Sequence, residues 1–442
     1  MKDLQLCQEI VEKGRSLGAD EIEVYYHKEK KIEVMIEKND LQIPKADDYE
    51  GIGIRVIKNN KVGFAATNRL DQVSIEKTLQ GALDLAEMST ASPYNQLPDP
   101  QPVQILEGLI DPNGFSLTAE KAVEQAGIIM ETVLRDSRVT LDSANVKGSF
   151  ISRAIANSRG QAVREDRTLY ECFLIGFARD GDDISSFNVE FISGSNFEKL
   201  PIREKSEKLA RKVVNTLGAK SIPSFKGSVI LSPLAIHYIL LQPLSFVLRG
   251  EAVVTGMSPL KEKLGEMISS HNLTLVDDPT FADGYYSRSF DREGVPSIRL
   301  PIITKGQLNS FLHTNRTALK ANTVSTGHAS GNDQSITNSA TNLMIEPGDV
   351  SLEEMIQDIK RGILVNRFSG NSDPISGDFS GVVKGGYYIE NGEIVQPIRE
   401  VMIAGNFYQM LNQISQLSNE VENFESSYTP YIQFEGVSIT GR

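Results

Sequence analysis

The chain has 442 residues, 40% of them hydrophobic, enough for two or three folded units each with its own core. Its 45 Lys and Arg stand against 58 Asp and Glu, a formal charge of −13 with no concentrated basic patch, so direct nucleic-acid binding is not expected. Two cysteines, Cys7 and Cys172, exclude a disulfide framework and a cysteine-built zinc cluster, and point to a reducing, cytoplasmic setting.

Leu4, Cys7, Val11 and Leu17 recur at helical spacing among charges, so the N-terminus reads as an amphipathic helix and not as a secretory leader. "EIEVYY" and "KIEVMIE" then alternate as half-buried strands, and "GIGIRVIKNNKVGFAAT" reads as a hairpin turning at Asn59 and Asn60. Asp71 caps a helix whose Val73, Leu79, Leu83 and Ala86 share a face, and the prolines at 93, 98, 100 and 102 mark a linker. Residues 1–102 are thus expected to form an N-terminal α/β subdomain.

A second α/β subdomain, 103–219, opens on a helix capped by Thr118. Alternating strands follow in "VTLDSANVKGSF", "FISRAIANSRGQAVRED" and "TLYECFLIGFARD", and a last helix runs from Pro201, in first-turn position, to Gly218. From 220 to 442 short strands, glycines and turns dominate, with a broken core helix around "AIHYILLQPLSFVL", a buried helix through "FVLRGEAVVTG", and one more at about 351–361. "IENGEIV" is an Asn-Gly hairpin. The fold class expected is α+β, helices on antiparallel sheets followed by a β-rich C-terminal domain, and no stretch approaches the roughly 18 uninterrupted apolar residues of a membrane span.

Chemistry is sparse. No two of the five histidines lie closer than fifteen residues, so no helix supplies a pair of them to one metal. His237 sits on an apolar helix and reads as a core histidine, whereas His328, in "STGHASGN", stands among glycines and hydroxyls that allow close approach of a ligand. No G-x-S-x-G or phosphate-cradling loop occurs, "GIGIRV" lacks the third glycine of a dinucleotide loop, and "RDGDD" reads as a turn.

"RGEAVVTGMSPLKEKLGE", "STGHASG", the run from Asn366 to Asn406 and the final "IQFEGVSITG" together resemble the TldD/PmbA family, also labelled modulators of DNA gyrase. The resemblance implies a cytosolic zinc metalloprotease assembled from a TldD-type and a PmbA/TldE-type subunit, acting on peptides and unfolded proteins. In the TldD type an H-E-x-x-x-H motif and a C-terminal cysteine hold the zinc. Laid on that motif, this chain has Gly250, Glu251 and Thr255, and no cysteine follows Cys172. The resemblance therefore implies a PmbA/TldE-type subunit with no metal of its own, zinc in a TldD-type partner, and a substrate or partner groove near Arg249, Glu251 and His328. A homodimer is a further assembly it allows. Two alternatives stay open: a stand-alone peptidase whose site uses His328, His313 and Asp373 or Asp378, and a regulatory protein acting on gyrase.

Overall fold

The computed structural model describes residues 2–333 and 335–442. Among these, an eight-stranded sheet spans residues 21–194, a thirteen-stranded sheet spans 225–440, and a small hairpin stands apart from both. The α+β class is as the patterning predicts.

The first sheet and its helices comprise α1 (Lys2–Ser16), β1 (Glu21–Glu37), β2 (Asp40–Leu41), β3 (Lys45–Lys58), β4 (Lys61–Thr67), α2 (Gln72–Met88), α3 (Ala119–Val133), β5 (Val139–Asn157), β6 (Ala162–Asp180), β7 (Asp183–Ile184), β8 (Asn188–Gly194) and α4 (Ile202–Val214). Strand order is β4-β3-β1-β5-β6, with β4 at the edge. Because β1 pairs with β5 from Glu23↔Asn157 to Glu37↔Ser143, the stretches before and after the proline linker share one sheet. The alternation suggests two strands where β1 is single: its polar middle, His27 to Lys31, is paired on both sides, to β3 and β5. β5 likewise runs unbroken through two expected strands.

Two cores form at opposite ends of these long strands. α1 and α2 cover Ile22, Val24, Ile52 and Ile54, whereas α3 and α4 cover Val34, Ile36, Val146 and Leu174. The buried stripe of α2 is Ile75, Leu79, Ala82, Leu83 and Ala86; Val73, expected in it, is exposed. Leu17 lies past the end of α1 and is exposed, and Pro201 is the N-cap of α4, one position before its first turn. Asp71 and Thr118 cap α2 and α3 as read from sequence. Both cysteines are buried, and burial pushes the Cys7 thiol up to about 12 and Cys172 higher still.

The second sheet begins with β9 (Phe225–Leu231). After it come α5 (Pro233–Ile236), α6 (Gln242–Val247), α7 (Gly250–Val254), β10 (Leu275–Asp277), β11 (Leu300–Thr304), β12 (Gln307–Leu308) and α8 (Asn315–Lys320). The hairpin β13 (Ala329–Ser330) and β14 (Thr337–Asn338) leads to β15 (Leu343–Ile345), α9 (Leu352–Gln357), β16 (Arg361–Val365) and the closing strands, the last of which is Ser427–Thr440. Central β9 pairs in parallel with β16 and antiparallel with 427–440, as a strand buried in a mixed sheet does. α9 ends at Gln357, short of the 361 expected, because Arg361 already belongs to β16. Between α5 and α6 the helix loosens into a π turn, His237–Leu241; there His237 Nδ1 lies 2.8 Å from Ser427 Oγ, and burial draws the imidazole down to about 4.

The C-terminal half meets the first sheet along β3. Cβ atoms on Gly51 and Gly53 would collide with Asp333, whose carboxylate is bonded to the Tyr49 hydroxyl. The glycines of "GIGIRV" thus let the β13–β14 hairpin lie against a strand backbone. Behind them runs a buried ionic chain: Arg292 to Glu23 (2.9 Å), Glu23 to Arg55 (2.7 Å) and Arg55 to Glu293 (2.8 Å), with Arg292 stacked over Tyr25 at 3.9 Å.

Candidate functional site

A cavity of about 840 Å³ opens beside this junction. Ile57, Val62 and Phe64 of the first sheet form one wall, and Phe246, Ala252 and Met257 face them. Arg316 of α8 and the Ser335–Asn338 side of the hairpin complete it, with Arg249 and Glu251 as polar members.

The geometry of Arg249 and Glu251 follows from a break in the helix expected through this stretch. α6 ends at Val247 with Leu248 as its C-cap, and Arg249 is extended (φ −64°, ψ 133°). Leu312 N–H donates to Leu248 O (2.9 Å) and Gly250 N–H donates to Leu312 O (2.6 Å), so strand-like pairing interrupts the helix for one residue. α7 then starts afresh at Gly250 and stops at Thr255, whose hydroxyl bonds back to Glu251 O (2.6 Å), with Gly256 at φ +77° in the usual left-handed position past the end.

This arrangement separates the three positions matched to the metal motif. Arg249, Glu251 and Ala252 line the cavity; Gly250 is turned away and buried, and Thr255 is exposed. A Cβ on Gly250 would collide with His313 Nδ1, and would stand 2.5 Å from Thr317 Oγ1 and 2.9 Å from Leu312 O. Among the described residues no cluster of three or more His, Cys, Asp or Glu is placed to hold a metal ion. The residues present do not fit a zinc centre, because position 250 has no room for an imidazole and Glu251 is the single donor left.

Among the described residues Arg249 and Glu251 form no ion pair with each other. The Arg249 guanidinium lies over the Phe246 ring at 5.6 Å, and its Nε is buried without a hydrogen-bond acceptor. Burial draws its pKa down. Among the described residues the Glu251 carboxylate has no ion pair or hydrogen bond, while the Glu251 amide lies 3.4 Å from Asn338 Oδ1. The groove therefore presents one cation and one anion with unspent hydrogen-bonding capacity on an apolar floor, with exposed Arg316 alongside.

His328 does not reach the groove. It is fully buried, with Nδ1 2.9 Å from Thr326 Oγ1 and Nε2 3.5 Å from Asp277, because small neighbours around it allow the chain to close over the ring. Burial pushes the Asp277 carboxyl up, but His328 and the Thr341 hydroxyl and amide outweigh that and hold it below the usual carboxylate range. His313 bonds Thr317 (3.2 Å), and burial, with His328 nearby, draws it down to about 4. Asp373 and Asp378 lie in a distant turn of the C-terminal sheet, occupied by the amides of Ile375 and Ser376 and by Asn406. His328, His313 and these acids are not assembled into one site.

Sequence reasoning missed the first-sheet wall and the hairpin rim; the only signal for either was the glycine pair of "GIGIRV", which marks a close backbone approach.

Known proteins match over the whole chain. Three family models fit in succession: PmbA/TldA metallopeptidase domain 1 over residues 22–88, the central domain over 112–217, and the C-terminal domain over 224–441. Metalloprotease PmbA of Escherichia coli O157:H7 is 26% identical over 434 residues, 97% of this chain and 93% of that one. A metalloprotease of Methanothermobacter thermautotrophicus is 27% identical over 411 residues, 88% and 85% of the two chains. The crystal structure of TldE from Thermococcus kodakarensis superimposes with a TM-score of 0.90 at 25% identity, covering 99% of this chain and all of that one.

Proposed function

The chain belongs to the PmbA/TldA metallopeptidase family, and on that premise we propose that it is the non-catalytic, peptide-holding subunit of a cytoplasmic two-chain peptidase whose zinc resides in a TldD-type homologue. The observation that carries this reading is the wedge at Gly250. Even one restored imidazole would have to displace His313 and the backbone of Leu312. Glu251, with no metal-bound water to deprotonate, then serves as a charged acceptor for substrate or partner.

The groove suits an extended peptide. Its apolar wall accepts side chains of varied shape, and Val62 and Phe64 belong to β4, the edge strand of the first sheet, whose outward backbone groups are open to strand addition. Recognition through main-chain groups tolerates many sequences, as processing of unfolded segments requires.

The test is reconstitution. Mixed with a TldD-type homologue, the chain should co-elute as a stable complex and raise cleavage of an unstructured peptide above that of the homologue alone. Failure to associate overturns the proposal, as does stoichiometric zinc with peptidase activity in the chain alone.

A further inference from the structure

Across the β13–β14 hairpin from the groove lies a second cavity of about 320 Å³, at the junction of the two sheets. Ser330, Gly331 and Ser339 border it, while Ser335 to Asn338 of the same hairpin border the groove. Its other walls bring together three guanidinium groups: Arg153 from β5, Arg167 from β6, and Arg288 from the loop before Phe290. We propose that this cavity is a binding site for a small dianionic oxyanion, a phosphate group.

The argument rests on which charges are already answered. Arg153 is paired with Glu165, whose second oxygen accepts Ser289 N–H (2.7 Å). Among the described residues Arg167 donates only to main-chain carbonyls, Ser287 O (3.1 Å), Gly284 O (2.9 Å) and Tyr285 O (2.5 Å), and Arg288 donates to Gly327 O (3.0 Å). Among the described residues neither has a carboxylate within ion-pairing distance, and the Nε of each is buried without an acceptor. Two guanidinium charges withdrawn from water without a counter-ion are costly, and an anion between them removes the cost.

The surrounding acids do not fill that role. Asp291, behind Arg288, has its oxygens taken by the amides of Glu293 (2.8 Å), Val295 (3.0 Å) and Ala329 (3.0 Å), and burial and Glu293 push it up to about 6. Asp277 is held by Thr341 and His328, and Glu171 receives the Tyr285 hydroxyl (2.7 Å). Burial, with Arg153 nearby, draws Arg167 down to about 10. Ser339 has no side-chain partner among the described residues and supplies a free hydroxyl at the rim. A phosphate carries about −1.5 to −2 charge near neutral pH, which answers two unpaired guanidinium groups, and its oxygens suit their planar forks.

Thermal unfolding and calorimetric titration of the intact chain with inorganic phosphate test this, against sodium chloride of matched ionic strength. A saturable rise in the midpoint is expected, about 3 °C at one hundred times Kd. Ser339→Asp places a carboxylate at the rim and should lower phosphate affinity at least tenfold without lowering the midpoint in its absence. Arg288→Gln should do the former, and Lys226→Gln, at an exposed site elsewhere, should leave the response intact. Phosphoserine as a second probe distinguishes sources: tighter binding than inorganic phosphate assigns the site to a phosphoryl group on a larger ligand, weaker binding to the free ion. A phosphate response no larger than that of chloride overturns the proposal, as does a full response in Ser339→Asp. If Arg288→Gln does not fold, Ser339→Asp alone decides.

Discussion

Arg55 and Glu293 stand at once in two neighbouring regions that treat charge in opposite ways. In the junction they complete a buried chain with Glu23 and Arg292 in which every charge meets an opposite one at 2.7–2.9 Å. The salt-bridge partners raise Arg55 above its usual range despite the burial that works against it. On the groove wall that they also line, Arg249 and Glu251 meet no counter-charge among the described residues. The first arrangement fixes how the two sheets dock. The second leaves charge unspent where a ligand's own termini or backbone can use it.

Five experiments probe that contrast, from the largest effect on stability to the smallest. Arg55→Ala strands buried Glu293 and leaves buried Glu23 with Arg292 alone, and should cost about 3–5 kcal/mol in urea denaturation. A loss under 1 kcal/mol, measured the same way, would mean that water reaches the junction. Gly250→Ala forces a methyl group against His313 and Leu312 and should cost about 1–3 kcal/mol. The paired reversion Gly250→His, Thr255→His should bind no stoichiometric zinc by metal analysis.

Acid sharpens the comparison next. His237 and His313 are both drawn from 6.5 to about 4 by burial, so each contributes stability that is present above pH 6.5 and lost as pH falls toward 4. Asp291, raised from 3.8 to about 6, acts in the opposite sense, its contribution being present below 3.8 and lost as pH rises through 6. Urea midpoints should therefore fall between pH 6.5 and 4 with a slope that His237→Gln reduces and Asp291→Asn steepens. Smallest in stability, within about 0.5 kcal/mol, should be Glu251→Gln and Arg249→Gln. Each should nonetheless lower partner-dependent peptide cleavage about tenfold, as the loss of one charged hydrogen bond does. If either destabilises the chain strongly, the groove charges belong with those of the junction.

Much of the local structure was legible. Asn59 and Asn60 adopt positive φ (52° and 60°) at the predicted hairpin turn, and Asn391 and Gly392 do so at theirs. Asp71 and Thr118 cap the helices assigned to them. The directions of residues 250, 251 and 255 were not legible: a helix through "RGEAVVTG" is locally reasonable, and only the pairing of Leu248 and Gly250 with Leu312, more than sixty residues on, breaks it at Arg249. His328 looked available because its neighbours are small, and those same neighbours let it be sealed against Asp277.

The sequence by itself determined the turns, the caps and the alternation that makes strands. These depend on conformational preferences and identities within a few residues. Tertiary structure alone decided that strands from both sides of the proline linker join one sheet, that Arg249 and Glu251 face a groove while Gly250 does not, and that Arg153, Arg167 and Arg288 converge. Such outcomes are set by register and by close approach between segments far apart in the chain, where no local preference reaches.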